Sequence, residues 1–179
     1  MAETTIGKKW FYRLLFVLIS TVILFIHLIP LQTTPGSWAM PNLIVCFCYA
    51  WVLRRDDYLP IVLIALIMLL ADFLFLRPPG LMAALFVLGA EFLRSRRLIL
   101  RELPFLLEWI MVAGVLSTVL VINRFALVVV LQPRPSLWLS LTELVTTLLA
   151  YPVVVLISRY LLGVRKLAAG QVDALGHRL

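Results

Sequence analysis

Five ionisable side chains fall inside otherwise apolar stretches of this chain: Asp72, Glu91, Glu108, Arg124 and Glu143, with His27 near the end of another. An ionised group in hydrocarbon costs about 3 kcal/mol or more, so each needs a partner or a purpose. A carboxylate facing a guanidinium can form a buried ion pair, grip a neighbouring helix or relay protons. Arg124 and Glu143 lie at matching distances from the break Gln132-Pro133-Arg134-Pro135. That places both roughly 10 Å inside a pair of antiparallel helices. The expectation is an Arg124–Glu143 ion pair, helped by Asn123 or Thr142, with Asp72 joining from a similar level. Glu91, three residues before Arg94, and Glu108, one turn beyond Pro104, are expected to pair with arginines at the membrane edge. Fixing helix register is the simplest role for the Asp72, Arg124 and Glu143 cluster. Docking of a partner's helix comes next. An ion relay lacks a continuous path, since the other halves of these helices offer mainly Ser117, Thr118, Thr146 and Thr147.

Other chemistry finds little to work with. The two histidines, His27 and His177, are far apart, so no Ser-His-Asp or Cys-His constellation assembles. There is no HExxH, no P-loop and no glycine-rich phosphate cradle, and Asp72 has no twin for aspartyl proteolysis. Cys46 and Cys48 are two apart on a helix, so their side chains diverge by about 200° and cannot share a metal. The reading is a non-enzymatic chain without cofactor or metal.

The elements that carry these residues follow from composition. Of 179 residues, 63% are hydrophobic and 14% charged, and the mean hydropathy is +1.06, outside the range of ordinary soluble domains. The pattern predicts an all-α polytopic membrane protein, a compact bundle of six transmembrane helices over 13–163. A cytoplasmic segment, 1–12, precedes it, and a weakly amphipathic cytoplasmic tail, 164–179, follows. The expected spans are 13–30, 38–53, 59–76, 81–93, 105–131 and 137–163. The second and fourth are short for a crossing. Arg54-Arg55-Asp56-Asp57 reads as a water-facing stop, and 94–102 as a surface-lying amphipathic link. Pro152 sits within the last span, where it would kink the helix. The apolar run after Lys8 and Lys9 exceeds a signal-peptide core and reads as a retained first span.

Charge orients the bundle. Thirteen of sixteen basic residues fall in four clusters: Lys8, Lys9 and Arg13; Arg54 and Arg55; Arg94, Arg96, Arg97 and Arg101; Arg159, Arg165, Lys166 and Arg178. They recur at every second turn. Lysine and arginine resist translocation, so that side is cytoplasmic and both termini lie inside. The net charge of +7 therefore points to anionic lipid rather than nucleic acid.

Met40-Pro41-Asn42-Leu43, the apolar run to Tyr49-Ala50-Trp51 and the stop Arg54-Arg55 resemble the second span of the rod shape-determining MreD family. Asp72 followed by a short turn and Gly80 resembles that family's Asp-then-Gly signature. Met68 stands where the family often has glycine, and the turn Arg77-Pro78-Pro79-Gly80 is richer in proline than usual. The resemblance is carried by Pro41, Asn42, Asp72 and Gly80 and covers about residues 38–93. It implies a multi-pass protein of the bacterial inner membrane, a non-enzymatic subunit of the cell-elongation machinery. It further implies work with an MreC-like periplasmic scaffold and an MreB-like filament. Through them the chain would reach a RodA-type glycosyltransferase and a class B penicillin-binding transpeptidase in peptidoglycan synthesis. The alternatives are a substrate-binding membrane subunit of an energy-coupling-factor type transporter and a small proton-coupled permease. Span one lacks the small-xxx-small pair through which such transporter subunits commonly dock.

Overall fold

The computed structural model describes residues 2–29, 39–132, 136–162 and 164, with side chains from residue 7 onward except at 101 and 102. The turn expected at 32–37, Arg134 and all of the tail beyond Val164 lie outside the described residues. All regular structure described is helical: α1 (Ala2–Leu28), α2 (Leu43–Arg54), a 3-10 turn (Asp56–Tyr58), α3 (Ile61–Leu74), α4 (Leu81–Glu102), α5 (Phe105–Val129) and α6 (Leu137–Tyr160).

Local chemistry sets most helix ends. The side chain of Asn42 accepts the Val45 amide (3.4 Å) to start α2, and Ser136 accepts that of Leu139 (3.2 Å) to start α6. Pro60 and Pro104 stand before α3 and α5, with φ already near the helical value. Leu103, just before Pro104, is extended, which ends α4. α3 and α5 close alike: Leu76 (φ 51°) and Leu131 (φ 56°) take the left-handed conformation. The following amides, of Arg77 and Gln132, then reach back to Asp72 O (3.0 Å) and Leu127 O (3.1 Å).

α2 is the axis of the bundle. From Ile44 to Arg54 every residue is buried, because α1, α4 and α6 enclose it. A helix apolar all round must be surrounded. At 12 residues it is about 18 Å long, well short of the hydrocarbon thickness. Because its neighbours cover it, that shortness is not presented to lipid. α4 reaches it at Gly89, where a Cβ would collide with the Tyr49 hydroxyl and come within 2.8 Å of Val115 Cγ1 on α5. The α2–α6 seam is laced with polar contacts: Trp51 Nε1 donates to Ser158 Oγ (3.1 Å), Cys46 Sγ to Thr147 O (3.4 Å) and the Asn42 amide to Thr147 Oγ1 (2.9 Å). Met68 is buried in the core.

Two ends are distinguishable. At one, Tyr12 stacks on Tyr58 (centroids 4.3 Å apart) and donates to Leu162 O (3.2 Å), Lys9 meets Asp57 (3.7 Å), and Arg97 pairs with Asp56. At the other, the His27 ring meets Phe75, the Ala39 amide donates to Thr142 Oγ1 (3.4 Å), and Arg124 meets Ser140. Successive helices therefore run antiparallel, and the basic clusters that are described share the first end.

Three helical segments, Gly7–Leu28, Phe105–Val129 and Leu137–Tyr160, are long and apolar enough to cross a membrane; α2 and α3 are apolar but shorter. Outward faces carry Leu14, Leu18, Phe25, Phe125, Val129 and Leu149, a surface suited to lipid rather than water. Two expectations are corrected. The stretch 94–102 is not a separate link but the continuation of α4, whose backbone hydrogen bonding does not stop at Arg94. Arg54 is not a water-facing stop: it is 5% exposed, inside the bundle.

Candidate functional site: a polar cavity and two buried carboxylates

The structure separates the polar residues into three stations. Asp72, 2% exposed, holds the α3–α4 turn. Its Oδ2 accepts the amides of Gly80 (3.1 Å) and Ala83 (3.0 Å). Gly80 has φ 87°, a conformation costly for any residue with a Cβ. The carboxylate thus satisfies amides at the start of α4 and sits at the positive end of its dipole. Asp72 is a helix cap supplied by the preceding helix, and it does not line the cavity that Arg124 and Glu143 share.

That cavity, of about 230 Å³, is the second station. Arg124 and Asn123 from α5, Gln132 just after it, Ser140, Glu143 and Thr147 from α6, Asn42 before α2 and Arg77 after α3 contribute its polar lining. Arg124 Nη1 donates to Ser140 Oγ (2.9 Å), and Ser140 is buried. No ion pair among the described residues joins Arg124 to Glu143. The expected depth was near, but Arg124 bonds α6 three residues, about 4.5 Å, from Glu143. Glu143 also lines an adjoining cavity of about 300 Å³ with Arg77 and His27. His27 Nδ1 is within 3.0 Å of the Ile23 carbonyl.

The third station lies toward the basic end. Arg54 Nη1 is 3.0 Å from Glu108 Oε1, with the two side chains 5% and 0% exposed. Tyr151 Oη donates to the same oxygen (2.8 Å), and Arg54 also donates to Ala50 O (3.0 Å). Charge, hydroxyl and carbonyl compensate one another, as burial of an ion pair requires. Sequence reasoning placed Glu108 at the membrane edge beside local arginines and missed this partner. Depth puts the two at one level, since Arg54 ends α2 where Glu108 begins α5, but does not by itself make them face each other. By contrast Glu91 pairs with Arg94 (2.6 Å), three residues on.

A fourth contact explains a sequence oddity. Pro152 has no amide to give the Leu148 carbonyl four residues earlier, yet α6 runs on unbroken. The indole of Trp109 on α5 donates to that carbonyl (2.9 Å). Among the described residues no three His, Cys, Asp or Glu side chains converge as metal ligands would.

Searches against protein-family models, curated proteins and solved structures find no match to this chain. Its chemistry is that of caps, a buried ion pair and a polar cavity between helices.

Proposed function

We propose that the chain is a non-enzymatic inner-membrane subunit of the rod shape-determining MreD type, crossing six times with both termini in the cytoplasm. The observation that carries the reading is the cap: Asp72 accepts the Gly80 and Ala83 amides, which gives the Asp-then-Gly signature a physical purpose. Asn42, the other motif position, caps α2 at the same end of the bundle. Both motifs start helices that run back toward the basic end, so their shared work is to order the end opposite the positive charge. The sharing of the basic end by Lys9, Arg94, Arg97 and Arg159 supports a cytoplasmic assignment for that end. In this reading the chain binds an MreC-like scaffold and, with an MreB-like filament, biases a RodA-type glycosyltransferase and its transpeptidase rather than turning over a substrate itself.

Affinity capture of the tagged chain from its native membrane, wild type beside Asp72→Ala, tests this by mass spectrometry. Recovery of an MreC-like scaffold or wall synthase, reduced by Asp72→Ala, is the expected result. Recovery of transporter ATPases would replace it with the second reading, a substrate-binding transporter subunit, which the polar cavity favours.

A further inference from the structure

The cavity between α5, α6 and the start of α2 combines two surfaces. Toward the end opposite the basic one its lining holds Arg77, Arg124, Asn123 and Gln132, alongside Leu76, Pro78, Met82 and Leu127. Further along the helices the lining continues as a mainly apolar floor of Val45, Phe86, Leu116, Val119 and Leu120, with Thr147 beside them. The floor is deeper: Leu116 lies eight residues, about 12 Å, along α5 from Arg124. Two guanidiniums against one carboxylate, Glu143, leave the lining with one net positive charge. A cavity of about 230 Å³ has room for about seven waters, or for a head group and part of a chain. Water alone would gain nothing from the apolar floor, and a purely apolar guest would gain nothing from two guanidiniums.

We propose that this cavity is a binding site for an anionic amphiphile, its phosphate or carboxylate head between Arg77 and Arg124 and its hydrocarbon on the floor beside Leu116 and Leu120. Arginine suits the head, because its planar fork can hold two oxygens at once. The inference goes beyond the family reading and holds whichever partner the chain has.

The probe is monododecyl phosphate, titrated calorimetrically into the purified full-length chain in a neutral maltoside detergent. One probe per chain is expected to bind saturably. Arg77→Gln and Arg124→Gln are each expected to weaken binding about tenfold or more, the effect of losing one charge-assisted hydrogen bond. Arg96→Gln, exposed at the opposite end, leaves it unchanged. Leu120→Phe keeps both guanidiniums and narrows the floor, so it carries the test if an arginine variant does not fold. It is expected to weaken monododecyl phosphate while leaving monobutyl phosphate unaffected. Repeating the titration in nanodiscs of phosphatidylglycerol and of phosphatidylcholine identifies the source. Competition by phosphatidylglycerol assigns the site to a bilayer lipid; its absence assigns it to a single-chain amphiphile. The proposal is overturned by lack of saturable binding, by undiminished binding to folded Arg77→Gln, Arg124→Gln or Leu120→Phe, or by equally tight binding of neutral monolauroyl glycerol.

Discussion

Two side-chain contacts carry unusual weight because they lie where water cannot substitute for a lost partner. Removing one member of the Arg54–Glu108 pair leaves the other charged and buried. Glu108→Leu or Arg54→Met alone is expected to cost about 3–5 kcal/mol. Arg54→Met with Glu108→Leu is expected to recover most of that loss, since no charge is then stranded. Thermal unfolding in detergent across the full cycle checks the coupling. The same logic applies to Trp109. Trp109→Phe strips the Leu148 carbonyl of its donor and is expected to cost about 1–3 kcal/mol. Pro152→Ala restores a backbone amide, so the loss from Trp109→Phe shrinks in that background. An unchanged loss would show that the indole serves packing instead. Asp72, Glu108 and Arg124 were legible as residues needing partners, from their place inside apolar stretches. Their partners were not, because depth in a membrane gives the level of a side chain but not its direction around the helix.

Among the elements, α2 tests how closely packed the bundle is. Its small residues Cys46, Cys48 and Ala50 are fully or almost fully buried, while its large ones, Tyr49 and Trp51, are wedged between neighbours. At Gly89, α4 lies against its neighbours, with Tyr49 and Val115 filling the space a side chain would need. Gly89→Ala is therefore expected to destabilise by about 1–3 kcal/mol through overpacking. Tyr49→Phe removes the nearest obstructing atom and is expected to soften that cost, readable as a smaller drop in the unfolding midpoint. The expected start at Leu137 agrees with α6, whereas α2 starts at Leu43 rather than 38 and α3 at Ile61 rather than 59, where Asn42 and Pro60 set the boundary. The continuity of α4 through Arg94 was not legible. A run of arginines reads as a stop when the helix is considered alone, yet Arg94 and Arg97 find acceptors on Glu91, Leu59 and Asp56.

For the molecule as a whole, the sorting of charge between two ends predicts which end faces which compartment. Asp57→Cys, in the link joined to Lys9, is expected to resist a membrane-impermeant maleimide applied to intact cells stripped of any outer membrane. Pro79→Cys, in the opposite turn, is expected to react. Native Cys46 and Cys48 are buried, so they add little background. Labelling of Asp57→Cys with protection of Pro79→Cys would invert the proposed topology.

The helical class, the apolar outer face, the basic end and several helix starts all follow from properties of short segments. Transfer free energy and backbone capping are local, and a few neighbouring residues suffice to specify them. Burial of Arg54, the meeting of Arg124 with Ser140, the Asp72 cap on α4 and the rescue of Leu148 by Trp109 are not local. Each depends on the rotation of one helix about its own axis, which is set by contacts such as Gly89 against Tyr49 that lie far apart along the chain. The cavity belongs to the same class: residues from four parts of the chain line it, and no single segment encodes the space between them.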